Sequence, residues 1–125
     1  MLLKLHIDKS EKFDIIETVI EMDIIEICKA LSNETRLNIL KWLKEPEENF
    51  PPQGGCLSEP VDLQGGVCVS SIQAKAGISQ STVSNYLDML QRAGLLLSER
   101  HGKWTYYRRN EAVIKDFSEY IGGEL

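Results

Sequence analysis

The sequence lacks the features of membrane-spanning and disulfide-stabilised chains. No apolar run approaches the roughly 18 residues that a membrane span needs, and the first residues, MLLKLHIDKSEK, lack the apolar stretch and cleavage site of a secretory signal. The three cysteines, Cys28, Cys56 and Cys68, include no close pair, which argues against a disulfide framework. We therefore expect a cytoplasmic protein with one domain over residues 1–125, a length that allows one modest core.

Catalytic signatures are also scarce. Only His6 and His101 are available for proton transfer near neutral pH. The sequence contains no phosphate-binding loop of the form G-x-x-x-x-G-K-[ST] and no recognisable pair of nucleophile and base. We expect neither an enzyme nor a cofactor.

The net charge of -5 conceals a separation of sign along the chain. Residues 69–109 contain six basic and two acidic residues, a net charge of +4, whereas the remainder contains eight basic and seventeen acidic residues, a net charge of -9. Such a separation is typical of a protein that attracts a polyanion to one surface. The alternative is a chance clustering of solvated charges.

The first long pattern predicts a helix from Phe13 to Leu31. Apolar residues recur at spacings of three and four, and further apolar residues widen the arc beyond one stripe. These residues are Phe13, Ile15, Ile16, Val19, Ile20, Met22, Ile24, Ile27 and Leu31. One small core cannot use all of this surface, so we expect a second copy of the chain to cover part of it, with residues 1–31 as a dimerisation region. The alternative is a helix wrapped by its own domain.

A core helix and a long loop follow. The stretch ALSNETRLNILKWLK predicts a helix that is capped by Ser32 or Asn33 and ends near Lys44. Its predicted buried face consists of Leu37, Ile39, Leu40 and Leu43. Residues 45–66 then contain all four prolines and several glycines, which excludes a long helix or strand there.

Residues 69–94 have the pattern of a helix-turn-helix. The stretch VCVSSIQAKAG predicts a short helix that turns Val69, Ile72 and Ala76 inward and stops at Gly77. After a tight turn, Ser79 caps a second helix that runs from Gln80 to Ala93 and stops at Gly94. Its predicted core stripe consists of Val83, Leu87 and Leu90.

Short polar side chains occupy the side of the second helix that faces away from this stripe. At about 100° per residue, Ser81, Asn85, Asp88 and Arg92 lie opposite the core, with Gln80 and Ser84 beside them. Amide side chains can pair with an adenine edge in the major groove, and hydroxyl groups can bond to bases or phosphates. The candidate DNA-contacting residues of this segment are Ser79, Gln80, Ser81, Thr82, Ser84, Asn85 and Arg92. The alternative is a capped surface helix with solvated polar groups.

Residues 95–109 predict a β-hairpin of the kind called a wing. The strands run from Leu95 to Arg100 and from Trp104 to Arg108, and the turn contains the dipeptide HG followed by Lys103. Arg100, His101 and Lys103 make the tip basic and are further candidate DNA contacts, with His101 expected as exposed polar surface. Trp104, Tyr106 and Tyr107 are interpreted as packing residues rather than base-stacking platforms. A last helix, residues 111–121, is expected to bury Val113, Ile114, Phe117 and Ile121.

With these segments in order, the chain resembles the ArsR/SmtB family of winged-helix repressors over residues 22 to 121. Three stretches carry the resemblance: ALSNETRLNIL, CVSSIQAKAGISQSTVSNYLDMLQRAGLL and ERHGKWTYYRRN. It implies a mainly helical, homodimeric winged helix-turn-helix, with the dimer built by the first and last helices. It also implies that the SQSTVSNYL helix reads double-stranded DNA at a palindromic operator, and that an inducer relieves repression.

The resemblance weakens at the inducer site. Members of the family that sense arsenic or cadmium carry two cysteines in the motif ELCVCDL, whereas this chain has GVCVSSI, in which Cys68 matches the first cysteine and Ser70 replaces the second. A soft metal needs about three thiolates, and the last helix lacks the histidines of the zinc-sensing members. We therefore expect no metal site of either established type.

Several alternatives stay open at this point. Cys28 and Cys68 can be buried as small apolar groups, Cys56 and Cys68 can serve as redox-sensing thiols, or the three cysteines can meet to bind a metalloid. The whole domain can also be a protein-interaction module without DNA affinity, for which Asp88 is the only indication.

Overall fold

The computed structural model of the protein describes residues 2–4 and 21–125. Its N-terminal elements are a pair of short antiparallel strands, β1 (Leu2–Lys4) and β2 (Glu21–Asp23), with Leu2 opposite Asp23. The helix predicted from Phe13 is wrong at Glu21–Asp23, and its residues 13–20 lie outside the described residues. Helix α1 (Ile24–Leu31) begins only after Asp23, whose carboxylate accepts hydrogen bonds from the backbone N–H groups of Ile25 and Glu26. This cap competes with the apolar spacing and fixes the start of the helix.

Helix α2 (Glu34–Lys44) is capped by Asn33, whose side chain accepts the N–H of Arg36 at 3.0 Å. Ile39, Leu40 and Leu43 are buried as predicted, but the prediction for Leu37 is wrong because this residue is 36% exposed. Arg36 takes the buried position instead. Its guanidinium donates to the carbonyl groups of Ala30 and Lys29 and thereby satisfies the free end of α1.

The proline-rich segment forms one helical turn and then an irregular loop. The turn is α3 (Pro46–Asn49), and residues 50–66 have no regular secondary structure. Phe50 is buried in the core at the start of this stretch. The loop therefore packs against the domain at Phe50, a contact that the prolines and glycines of this segment do not indicate.

Helices α4 (Val69–Ala76) and α5 (Gln80–Arg92) form the predicted helix-turn-helix. Gly77 ends α4 in the left-handed conformation, with a φ of 68°, which glycine adopts without a steric penalty. The core stripe of α5 lies against the other helices, and each of its members is fully buried, as is Ile72 of α4. That stripe consists of Val83, Leu87 and Leu90.

Three antiparallel strands form the wing and its base, in the order β3, β5, β4. Strand β4 (Leu96–His101) and strand β5 (Trp104–Arg109) are the predicted hairpin, closed by a turn at Gly102 and Lys103. Strand β3 (Val67–Cys68) pairs with β5 so that Cys68 lies opposite Tyr106. The helical prediction is therefore wrong for Val67 and Cys68, because backbone pairing with a distant strand determines their conformation.

Helix α6 (Glu111–Glu124) is the last element, and the described part of the chain is mainly helical with two small β-sheets, one of which contains the predicted hairpin. Val113 is buried and Ile114 and Phe117 pack at the edge of the core, whereas Ile121 is 39% exposed, contrary to the expectation of burial. Helix α6 also contacts β2. In residues 2–4 and 21–125, no helix has the length and apolarity to cross a membrane.

Candidate nucleic-acid interface

The N-terminus of α5 is built around a capping serine. Ser79 accepts the backbone N–H of Thr82 at 3.2 Å and donates its own hydroxyl to the Thr82 hydroxyl at 2.8 Å. The Ser81 hydroxyl lies 3.3 Å from that of Ser79. These bonds satisfy one free N–H of the helix and link the hydroxyl groups of its first turn. Ser79 and Thr82 therefore have a structural role at this end of the helix.

Four of the candidate DNA-contacting residues lie on the outward side of α5. Gln80, Ser81, Ser84 and Asn85 are exposed, opposite the buried stripe. Within the described parts of the chain, the side chains of Gln80, Ser84 and Asn85 form no intramolecular hydrogen bond. Their donors and acceptors are therefore free to bond to an external partner.

A cleft of about 430 Å³ lies between this helix and the wing. Gln80 and Ser84 line one wall, and Lys103 and Thr105 line the other. Cys68, at the junction of β3 and α4, also borders the cleft. The structure thus brings the outward side of α5 and the wing tip to the same part of the surface.

The wing tip carries cationic groups that point to solvent. The Lys103 ammonium lies 5.3 Å from the centroid of the Trp104 ring, an arrangement that favours the cation electrostatically. Arg100 is exposed and donates from Nε to the carbonyl of Gly102 at 2.9 Å. Both charges therefore remain available at the turn.

Much of the remaining positive charge in this region is paired internally. Arg92 donates to the carboxylate of Asp88, one helical turn away on the same exposed side of α5. Arg108 lies 3.5 Å from Glu99. Arg109 bonds to Glu111 at 2.8 Å. Of the six basic residues counted in residues 69–109, three are thus held by carboxylates, which the linear count of charges did not reveal.

His101 differs from its predicted setting. The expectation that it lies exposed at the turn is wrong, because it is the last residue of β4 and only 21% of its side chain is exposed. Its ring packs edge-on against Tyr106, with centroids 5.9 Å apart, and its Nε2 lies 3.5 Å from a Glu99 oxygen without hydrogen-bond geometry. Strand alternation turns it to the face of the sheet that carries Tyr106. Its role as a DNA contact stays a prediction.

Two of the three aromatic residues of the wing follow the packing interpretation, whereas Trp104 is half-buried and lines the cleft. Tyr106 is buried, and Tyr107 packs against the core from a half-buried position. Burial raises the pKa of the Tyr106 hydroxyl above its ordinary value, with smaller contributions from Cys68 and Cys56. This hydroxyl therefore stays protonated well into the alkaline range.

The three cysteines occupy different environments. Cys28 is exposed on α1, which contradicts the alternative that it is buried as a small apolar group, and Cys56 is exposed in the long loop. Cys68 is half-buried at the N-cap of α4, where its Sγ lies 3.1 Å from the Ser70 hydroxyl and 3.3 Å from that of Ser71. Partial burial acts to raise the pKa of this thiol, but hydrogen bonds from the side chains and backbone of Ser70 and Ser71 outweigh it and lower the pKa.

A metal site does not assemble from these groups. Across residues 2–4 and 21–125, no three His, Cys, Asp or Glu side chains cluster in a way that can hold a metal ion. The three-thiolate arrangement that a soft metal needs is thus not found within one described chain.

Gln53 is a residue that sequence reasoning missed. From the long loop, its Oε1 accepts the backbone N–H of Cys68 at 3.0 Å, and its Nε2 donates to the Ser71 hydroxyl at 3.1 Å and to the carbonyl of Pro51 at 2.9 Å. It therefore ties the loop to the first turn of α4. No local pattern indicates such a contact, since a glutamine among prolines and glycines is equally compatible with a solvated loop.

The chain matches known regulators in sequence and in fold. The family model described as bacterial regulatory protein, arsR family, matches residues 63–98. The HTH-type transcriptional regulator YbzH of Bacillus subtilis is 49% identical over 105 residues, which cover 83% of this chain and all of YbzH. The arsenical resistance operon repressor of Escherichia coli is 32% identical over 84 residues, which cover 67% of this chain and 56% of that protein.

Solved structures agree with these matches. A homodimeric winged helix-turn-helix DNA-binding domain from Mycobacterium bovis, a possible ArsR-family transcriptional regulator, is 25% identical with a TM-score of 0.54, over 94% of this chain and 84% of that one. An ArsR-like transcriptional regulator from Rhodococcus is 26% identical with a TM-score of 0.56, over 81% of this chain and 80% of that one. The winged helix-turn-helix prediction is confirmed.

Proposed function

This chain belongs to the ArsR family of bacterial regulatory proteins, and from this premise we propose that it is a sequence-specific DNA-binding transcriptional repressor. It binds a palindromic operator as a homodimer and leaves it when an inducing signal arrives. The observation that carries the proposal is the set of exposed, unbonded side chains of Gln80, Ser84 and Asn85 on α5, of which Gln80 and Ser84 line the same cleft as Lys103 of the wing tip.

Helix α5 enters the major groove in this proposal. The side-chain amides of Gln80 and Asn85 each offer a donor and an acceptor, the combination that recognises an adenine edge. The hydroxyls of Ser81 and Ser84 and the free N–H groups of the helix N-terminus serve nearby bases or phosphates. Lys103 and Arg100 of the wing approach the phosphate backbone beside that groove.

A homodimer supplies the second copy of this surface. Apolar residues are exposed on the elements expected to form the interface, with Ile25 of α1 54% exposed and Ile121 of α6 39% exposed. Helix α6 contacts β2, which leads directly into α1, so the start of α1 lies close to α6. A twofold pair built there presents two copies of α5 and therefore requires a palindromic site.

The alternative of a protein-interaction module without DNA affinity is less well supported. Its indication was Asp88, an acidic residue in the middle of the outward face. The carboxylate of Asp88 is bonded to Arg92, so this part of the helix presents a neutral pair instead of an acidic patch. Neither an acidic nor an apolar face on α5 then favours a protein partner.

Selection of bound genomic fragments by the purified dimer tests the proposal. We expect recovery of a short sequence with twofold symmetry, bound by the protein with an affinity about a thousandfold or more above that for random DNA. Adding arsenite or peroxide to the complexes then tests which signal releases the operator. Recovery of fragments without a shared sequence, or binding of a site without symmetry, contradicts the proposal.

A thiol-responsive form of the repressor is favoured by the position of Cys68. Its thiolate is stabilised by Ser70 and Ser71, and it borders the cleft that also contains Gln80 and Ser84 of α5. A group attached to Sγ therefore adds bulk within the proposed DNA-binding surface. Low-pKa, accessible thiols are the ones that oxidants and alkylating agents modify first.

Alkylation kinetics test this form in a variant with Cys68 as its sole cysteine, Cys28→Ser/Cys56→Ser. Because a lowered pKa leaves more thiolate at a given pH, Cys68 is expected to react with iodoacetamide at lower pH than in the further variant Ser70→Ala/Ser71→Ala, whose rate profile shifts to higher pH. Alkylation is expected to abolish operator binding. Full operator affinity after complete alkylation contradicts a sensing role for Cys68.

A further inference from the structure

A second cleft lies between the two ends of the long loop, and no residue of α5 lines it. Its volume is about 440 Å³, within the range of sites that bind small molecules. Pro46, Phe50 and Pro51 contribute to one wall, and Val61 and Leu63 contribute to the other. Prolines restrict the backbone of the first wall, and Phe50 belongs to the buried core. The first wall is therefore held in place before any ligand binds.

The charged residues that line this cleft are both acidic. Glu47 comes from α3 and Asp62 comes from the loop, and no basic side chain from the described part of the chain lines the cleft. Neither carboxylate takes part in an ion pair within the described residues. One oxygen of Asp62 accepts the backbone N–H of Gln64 at 2.9 Å, which fixes the orientation of that carboxylate. An apolar pocket with unpaired negative charge is complementary to an organic cation.

The cleft is connected to the DNA-binding elements on both sides. Gln53 lines it and bonds directly to the backbone of Cys68 and the hydroxyl of Ser71, in the first turn of α4. Gly66 lines it from the other wall and leads directly into β3, which pairs with the wing strand β5. A Cβ placed on Gly66 would lie 2.9 Å from the Leu63 carbonyl oxygen and 3.2 Å from the Tyr106 Cβ. The backbone at Gly66 is therefore packed too closely against Leu63 and Tyr106 to accept a side chain.

We infer that this cleft is an effector site for a small organic cation, an ammonium group on an apolar body, and that occupancy weakens DNA binding through Gln53. A ligand that separates the two walls displaces Gln53 from the first turn of α4 and strains the junction with β3. Both the helix-turn-helix and the wing are fixed at that junction. The inference that the cleft binds an organic cation depends only on the lining of the cleft, whereas the inference that binding weakens DNA affinity rests on the proposed function.

Binding is tested on the intact, unliganded protein in the absence of DNA. The probe is cyclohexylmethylammonium, with cyclohexylmethanol as its uncharged counterpart, titrated into ¹⁵N-labelled protein at low ionic strength. We expect saturable binding of the ammonium with chemical-shift changes at the amides of Gln53, Leu63 and Gly66, and at least about tenfold weaker binding of the alcohol. Equal affinities, or no saturable binding of the ammonium, overturn the inference.

Matched variants assign the binding to the acidic lining. Glu47→Gln/Asp62→Asn removes both charges, while the amide oxygen introduced by the second substitution can still accept the Gln64 N–H, and we expect about tenfold weaker ammonium binding. The control Glu48→Gln/Glu59→Gln removes the same charge from residues that do not line the cleft and is expected to bind as the unmodified protein does. Equal weakening in both variants overturns the site and indicates a general effect of net charge.

Coupling is tested separately with the selected operator. Saturating cyclohexylmethylammonium is expected to weaken operator binding by about fivefold or more. Ser71→Ala removes the hydroxyl to which Gln53 donates, at a residue that does not line the cleft, and is expected to keep ammonium binding and to reduce this effect. Unchanged operator affinity in the unmodified protein with the site occupied overturns the regulatory part, whereas failure of the unliganded protein to bind any operator contradicts the proposed function and leaves the ammonium titration as an independent result.

Discussion

The start of α5 and the tip of the wing face one cleft, but they differ in chemistry and in rigidity. The start of α5 presents uncharged amide and hydroxyl groups on short side chains, above a stripe of fully buried residues. The wing tip presents the long side chains of Arg100 and Lys103 at a two-residue turn. The first surface is held by the core, and the second is held by the pairing of two strands.

This difference indicates a division of labour in the proposed complex. Reading of base edges needs donors and acceptors in fixed positions, which a helix anchored in the core supplies. Attraction to phosphates needs only positive charge near the backbone, and a flexible lysine supplies it without regard to sequence. We therefore expect changes at α5 to alter specificity and changes at the wing to alter affinity for all DNA.

The largest expected effect is on the anchor of α5. Leu87→Ala removes a fully buried side chain and is expected to lower the free energy of unfolding by about 3 kcal/mol, from lost burial and the cavity that remains. Urea denaturation at fixed protein concentration measures it. Leu97→Ala, at a position that is 37% exposed on the wing strand β4, is the control and is expected to cost less than about 1 kcal/mol. Similar losses for both variants contradict the anchoring of α5 by the core.

Next in size is the loss of base discrimination. Asn85→Ala or Gln80→Ala is expected to reduce the preference for operator over a single-base mismatch by about 1–3 kcal/mol, because a paired contact to one base is lost. Competition binding with operator and random DNA measures it. Gln91→Ala is the control, since the amide of Gln91 bonds to Ser98 at 2.9 Å instead of facing the cleft. A uniform loss of affinity for all DNA indicates instead that these residues contact the phosphate backbone, and it contradicts the division of labour between α5 and the wing.

Lys103→Ala tests the wing. Loss of one phosphate contact is expected to weaken binding to operator and random DNA alike and to reduce the slope of log affinity against log salt by about one unit. Fluorescence anisotropy over a salt series provides the measurement. Lys115→Ala, on α6, removes an equal charge away from the cleft and is expected to leave the slope unchanged. A change in sequence preference with Lys103→Ala shows that the wing also reads bases.

The smallest effect is expected for the ion pair on α5. Asp88→Asn releases Arg92 and removes a negative charge from the outward face, so affinity for all DNA is expected to rise roughly twofold to threefold. The same anisotropy assay detects it, with Glu119→Gln as a control for net charge. A loss of operator affinity with unchanged random binding indicates that Asp88 itself contacts the operator.

Periodic segments were predictable from the sequence, and isolated contacts were not. The stripe of α5, the caps at Asn33 and Ser79 and the hairpin follow local rules of spacing, capping and turn formation. The sequence also contained a signal for Arg36, because this residue shares the helical spacing of Ile39, Leu40 and Leu43, which are buried. The prediction of a helix was wrong at Met22, because this residue of strand β2 matches the helical spacing by coincidence.

The remaining differences arise from contacts between residues far apart in the chain. Strand β3 exists because Val67 and Cys68 pair with β5, and the position of the long loop depends on the bonds of Gln53 to Cys68 and Ser71. None of these contacts has a local sequence signature, and they are the ones that define the surroundings of the candidate interface.

Hydroxyl-radical footprinting of the selected operator tests most directly whether two copies of α5 read one face of a duplex. We expect two symmetric patches of protection, centred about 10 base pairs or one helical turn apart, each with its major groove facing the protein. A single patch at saturating protein, or two patches on opposite faces of the duplex, contradicts the paired-helix arrangement.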